Sequence, residues 1–119
     1  MHIKFEKLEP LFSVCKIQNA GSVDFTRGFF FLSKTDEEIS LVCESDHVPP
    51  GALAVESDWK AFRVAGMLNF GLVGVLASIT GTLAQAGISV FAVSTYNTDY
   101  IFLKSQDFER GLALLEERS

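Results

Sequence analysis

With 119 residues, 48% hydrophobic and 12% aromatic, the chain is long enough to bury one compact domain, or two half-sized ones sharing a core. A formal charge of −5 with scattered lysines and arginines excludes the positive stripe that nucleic-acid binding needs, and no basic amphipathic helix offers itself to a membrane. Cys15 and Cys43 sit far apart in apolar-alternating segments, and the opening Met1-His2-Ile3-Lys4-Phe5-Glu6 lacks a secretory leader, which together point to buried thiols in a reducing, cytoplasmic compartment.

Residues 11–17 alternate apolar and polar and predict a strand, closed by the breaker Asn19-Ala20-Gly21-Ser22. Phe29-Phe30-Phe31-Leu32 is a continuous apolar run. It leads through the polar turn Lys34-Thr35-Asp36-Glu37-Glu38 into Ile39-Ser40-Leu41-Val42-Cys43, which predicts a hairpin. Pro49-Pro50-Gly51 ends this half, which holds three strands and little helix.

In residues 59–64, Trp59, Ala61 and Arg63 oppose Lys60, Phe62 and Val64, as on the two faces of a strand. Leu72, Leu76, Ile79 and Leu83 then recur at four, three and four, defining one face of a helix that Gly87 terminates. Gly81 lies inside that helix at a cost of roughly 1 kcal/mol against alanine, for which a close crossing over another element is the expected reason. The uncharged stretch from Val64 to Thr98 is broken by five glycines and changes rhythm midway, so it predicts a buried helix and strand rather than a membrane span. Residues 88–95 are rich in β-formers, Tyr96-Asn97-Thr98 links them to a strand over 99–104, and a last helix buries Phe108, Leu112 and Leu115.

The order β-α-β-β-α is a ferredoxin-like half-sandwich lacking its final strand, which the first half is free to complete. The fold class is α+β: an antiparallel sheet with helices on one face. Ile88, Val90 and Ala92 point to one side of their strand and Phe91 and Val93 to the other. Both sheet faces therefore need cover, from a second sheet, a second half-domain or a dimer partner.

Residues 68–77, Gly87-Ile88-Ser89-Val90-Phe91-Ala92-Val93 and Ser94-Thr95-Tyr96-Asn97-Thr98-Asp99-Tyr100 resemble the ACT domain family. The match is nearest to the branch holding the aspartokinase regulatory domains and CASTOR-type amino acid sensors. Residues 35–42 resemble the companion hairpin of a first ACT-like half. The resemblance implies two ACT-like halves, a degenerate one over residues 1–57, poor in helix, and an ACT domain over 58–119. It implies an amino acid or similar small ligand at the seam between such units, a homodimer or a regulated protein partner, and no catalytic domain. Asn69-Phe70-Gly71 stands where relatives tend to carry Asp-Phe-Ser, so a carboxylate and a hydroxyl cap are missing.

A zwitterion needs donors for its carboxylate and an acceptor for its ammonium. The helix start formed by Asn69, Phe70, Gly71, Leu72, Val73 and Gly74 offers unpaired amides, with glycines that let a ligand approach; the competing reading is a tight strand-to-helix turn. Asp99, the first charge after the neutral stretch, suits the cationic end, with Thr95, Tyr96 and Asn97 beside it; the competing reading is a turn aspartate bonded to its own backbone. His2 and His47 have no second ligand at metal spacing, and Asp46-His47 reads as an exposed turn. Neither cysteine has an activating base, no phosphate loop occurs, and no catalytic set emerges, so neither enzyme activity, cofactor nor metal is expected. The alternative to a sensor is a degenerate module that binds no small ligand and serves dimerisation or protein interaction.

Overall fold

The computed structural model describes residues 3–65 and 74–118. In chain order these form β1 (Phe5–Lys7), β2 (Phe12–Ile17), β3 (Phe30–Lys34), β4 (Ile39–Glu44), β5 (Ala54–Val64), α1 (Val75–Gln85), β6 (Val90–Ser94), β7 (Asp99–Lys104) and α2 (Ser105–Arg118). Two single 3-10 turns, Ala20–Ser22 and Ser45–His47, are the only other helical pieces among the described residues. The chain divides into two compact units, Pro10–Trp59 and Met1–Glu9 with Lys60–Ser119. Strand β5 runs through both: its first residues pair with β2 and its last with β1.

In the C-terminal unit the strands follow the order β1-β5-β7-β6, the antiparallel ferredoxin-like arrangement. The missing final strand is supplied by β1, where Phe5, Glu6 and Lys7 pair with Val64, Arg63 and Phe62. Residues ahead of the predicted strands of the first half therefore complete this sheet. Both helices cover one face. Phe62 and Val64 of β5 and Ile101 and Leu103 of β7 meet Ile79 and Leu83 of α1 and Phe108, Leu112 and Leu115 of α2, all buried. Each such side chain contributes roughly 1.5–3 kcal/mol on leaving water. Lys60, alternating onto the same face, lays its ammonium 5.2 Å from the Phe108 ring centre.

Helix α1 ends as its sequence predicts. Gly87 takes φ +73, its N–H donates to the Ala84 carbonyl at 3.0 Å, and the Ile88 N–H reaches back to the Leu83 carbonyl at 3.0 Å. This is a Schellman closure, with Ile88 and Leu83 also in apolar contact within the core. The close crossing expected at Gly81 is not there, because a Cβ at that position would meet nothing within 4 Å among the described residues. The helix crossing falls instead on Gly111 of α2, where a Cβ would lie 2.7 Å from Leu103 Cδ1 and 3.1 Å from Leu83 Cδ2.

In the N-terminal unit the order is β3-β4-β2-β5, with β3 and β4 forming the predicted hairpin. One face carries Cys15, Ile17, Leu41 and Cys43. Among the described residues of this unit no long helix covers it. Val23, Val48 and Ala52, from the segments following β2 and β4, pack there instead. Among the described residues, no helix is long and apolar enough to cross a membrane.

Candidate functional site

Asn69, Phe70, Gly71, Leu72 and Val73 lie outside the described residues. Gly74 is the N-cap of α1 with φ +87 and ψ 0, a left-handed conformation that glycine adopts without strain. A Cβ there would meet nothing within 4 Å, so among the described residues it is this φ, and not crowding, that calls for glycine. Among the described residues no side chain caps the helix, and its first internal bond runs from the Ser78 N–H to the Gly74 carbonyl at 2.8 Å. The amides of Val75, Leu76 and Ala77 therefore open the helix without a side-chain acceptor from Gly74. Such amides, with the positive end of the helix dipole behind them, attract anions.

The second group sits on the β6–β7 hairpin. Thr95 donates both its N–H, at 2.9 Å, and its hydroxyl, at 3.0 Å, to the Thr98 carbonyl, which fixes the four-residue turn. Thr98 is buried, and its hydroxyl donates to the Val64 carbonyl at 2.8 Å. That bond fastens the hairpin to the last residue of β5. Ser94 and Asp99 are cross-strand partners, and the Ser94 hydroxyl donates to Asp99 Oδ1. Asp99 is thus bonded to a side chain across the hairpin rather than to its own turn backbone. Its other oxygen, Oδ2, has no hydrogen-bond partner among the described residues. Tyr96 stands 76% exposed at the tip beside the exposed Asn97, which excludes a core role for the ring.

On the sheet face away from the helices, Arg63 adds a fixed positive charge that the sequence reading left unassigned. Its Nη1 donates to the Tyr100 hydroxyl at 3.3 Å and its Nε to Glu6 at 3.0 Å. Those two partners hold its pKa above the ordinary arginine value. The sequence signal was the alternation in β5, which put Arg63 opposite Phe62 and Val64.

The thiols are poor nucleophiles. Burial raises the pKa of Cys15, and burial reinforced by Cys15 pushes Cys43 up to about 12. Among the described residues no group of three or more His, Cys, Asp or Glu side chains is placed to hold a metal ion. Asp46-His47, expected as an exposed turn pair, divides: Asp46 is exposed, but His47 is half-buried and lines a cavity in the N-terminal unit.

Residues 54–117, just over half of the chain, match the family model described as ACT domain. The human protein named cytosolic arginine sensor for mTORC1 subunit 1 is 30% identical over 97 residues, a match covering 76% of this chain. This chain spans 30% of that relative's length. A solved protein structure from Agrobacterium tumefaciens is similar with a TM-score of 0.84 at 28% identity, covering 98% of this chain and 89% of that one. The regulatory subunit of aspartate kinase from Thermus thermophilus shares the fold, with a TM-score of 0.66 at 10% identity and 98% of each chain covered. Helix α1, the hairpin fastened to β5 and strands β5, β6 and β7 all fall within the matched residues, and the chain belongs to the ACT domain family.

Proposed function

We propose that this chain is a non-catalytic regulatory module that holds a free amino acid where its C-terminal unit pairs with another ACT-like unit. The ligand carboxylate meets the amides opening α1, and its cationic group meets Asp99. Occupancy changes the pairing, and a second copy or a regulated protein partner in the cytosol reads the change. The observation that carries this reading is Asp99 itself: half-buried, on a hairpin fastened to β5, with Oδ1 engaged by Ser94 and Oδ2 open. Support also comes from the human relative, which by its name senses arginine in the cytosol, and from the start of α1, which no side chain among the described residues caps.

Thermal unfolding in the presence of each proteinogenic amino acid, arginine included, tests the proposal. A ligand at a hundred times its Kd adds about 2.7 kcal/mol to stability. Asp99→Asn removes a charge-assisted bond worth about 1.5–3 kcal/mol, so affinity falls roughly 10- to 150-fold while folding is retained. Absence of a shift with every amino acid would sink the sensor reading and leave the interaction module.

A further inference from the structure

The N-terminal unit contains a cavity of about 310 Å³, within the size range of small-molecule pockets. It is walled by the loop between β2 and β3 and by the turn after β4, the segments that stand where the C-terminal unit has helices. Its deep side is apolar, made by Phe30, Leu41, Cys43 and Val48. Its mouth carries charges of both signs, with Arg27 set against Asp24 and Asp46. All three are exposed, and the Arg27 guanidinium has no ion-pair partner among the described residues. Between floor and mouth lies His47, whose Nδ1 is buried with no hydrogen-bond partner. Buried polar atoms are nearly always satisfied, so an orphan on a residue that lines a cavity marks the place of a missing partner.

The wall is built in advance. Gly28 takes φ +63, and the next amide, Phe29 N–H, donates to Glu44 Oε2 at 2.7 Å. That φ favours glycine, and a Cβ there would fall 2.0 Å from the Glu44 oxygen and push its carboxylate off the Phe29 amide. Asn19 closes the 3-10 turn by accepting the Gly21 N–H at 2.8 Å. Asp24 Oδ1 accepts both the hydroxyl of Thr26, at 2.6 Å, and its N–H, at 2.9 Å, which keeps the carboxyl ionised and leaves Oδ2 open.

We propose that this cavity is a second binding site, for a free α-amino acid with an apolar side chain such as leucine or methionine. The side chain fills the Phe30–Leu41–Val48 floor, the carboxylate takes Arg27 and His47 Nδ1–H, and the ammonium takes Asp24 Oδ2 with Asp46. An apolar molecule alone would leave the His47 nitrogen orphaned, and a fully charged one would waste the floor; a zwitterion with an apolar body satisfies both. The site shares no residue with the helix-start site and stands or falls without it.

The chain has two histidines, His2 and His47, so protein labelled with ¹⁵N only at histidine gives two ring systems to follow. At fixed pH, leucine or methionine should shift the His47 ring nitrogens saturably and leave His2 unmoved. Glycine, 4-methylpentanoate and isoamylamine, each lacking one part of the ligand, should bind at least about tenfold more weakly. Arg27→Gln, at an exposed position that leaves the fold intact, should weaken leucine by about tenfold or more, whereas Asp99→Asn should leave it unchanged. A His47 signal indifferent to every apolar amino acid at millimolar concentration would overturn the proposal. So would equal affinity for the carboxylate alone, or a response that Arg27→Gln does not alter.

Discussion

Cys15 and Cys43 lie on neighbouring strands and face the same side of the N-terminal sheet, each opposite a residue two positions from the other: Cys15 pairs with Leu41 and Cys43 with Ser13. Both are almost fully buried, so ionising either thiol would place a charge in an apolar layer with no cation to meet it. Cys43 therefore keeps its proton up to about 12, against an ordinary value of 9.0 in the unfolded chain. A folded-state pKa above the unfolded one means that the native state binds more protons between the two, so stability is full below pH 9.0 and is lost as pH rises toward 12. The slope cannot exceed about 1.4 kcal/mol per pH unit for one group. Urea midpoints at about pH 8 and about pH 10 should fall further for the native chain than for Cys43→Ala, which cannot titrate there. Equal falls would mean that the thiol is open to water. The burial of these thiols was legible in the alternation around them. The character of Asp99 was not: residue type and position fit a backbone-bonded turn as well as a ligand acceptor, and only the register placing Ser94 opposite it decides that its first oxygen is taken by a hydroxyl.

Helices α1 and α2 each carry an internal glycine, and the two meet opposite surroundings. At Gly81 a methyl group would touch nothing within 4 Å among the described residues, so Gly81→Ala should recover the helix propensity, about 1 kcal/mol. At Gly111 the same propensity gain is set against a Cβ 2.7 Å from Leu103 Cδ1 and 3.1 Å from Leu83 Cδ2, in a layer where both leucines are fully buried. Overpacking a closed core costs about 1–3 kcal/mol, which outweighs the gain and leaves a net loss of about 1 kcal/mol. Chemical denaturation of the two variants should therefore move in opposite directions. A loss at Gly81→Ala would show that this backbone is covered in solution, and would point to a partner on the exposed side of α1. The sequence placed both helices through the spacing of Ile79, Leu83, Phe108, Leu112 and Leu115, but periodicity cannot say which glycine lies at the crossing. That depends on how the helix axes meet, which no local pattern encodes. The two hairpins were legible for a stronger reason. Thr35 and Thr95 open turns of the same length, and each donates its N–H to a carbonyl three residues on, at 2.9 Å in both.

The two units are built on this shared hairpin but close their cores by different means. The C-terminal unit sandwiches a large layer between sheet and helices, with Phe62, Ile101, Leu103, Phe108 and Leu112 all at 2% exposure or less. The N-terminal unit covers a smaller buried cluster with loops and leaves a cavity beneath them. The poverty of helix in the first half was readable from its sequence, and it implied a bare sheet face. The long connection between β2 and β3 was the signal that something irregular must cover that face, although which side chains it brings inside was beyond a pattern-based reading. The pairing of β1 with the end of β5 was equally hidden, because a three-residue strand carries too little alternation to be read and is formed only through its long-range partner. Unequal cores predict unequal opening. Loop-covered strands lose fewer apolar contacts when they part from their cover, so native-state hydrogen exchange should release the amides of β3 and β4 through openings of lower free energy than those of β7. The β7 amides Ile101, Phe102 and Leu103, flanked by β5 and β6 and buried beneath α1 and α2, should exchange only through global unfolding. If β4 and β7 instead exchange in step across a denaturant series, the chain opens as one cooperative body. The loop-walled unit would then be as rigid as its helix-covered neighbour, despite its smaller core.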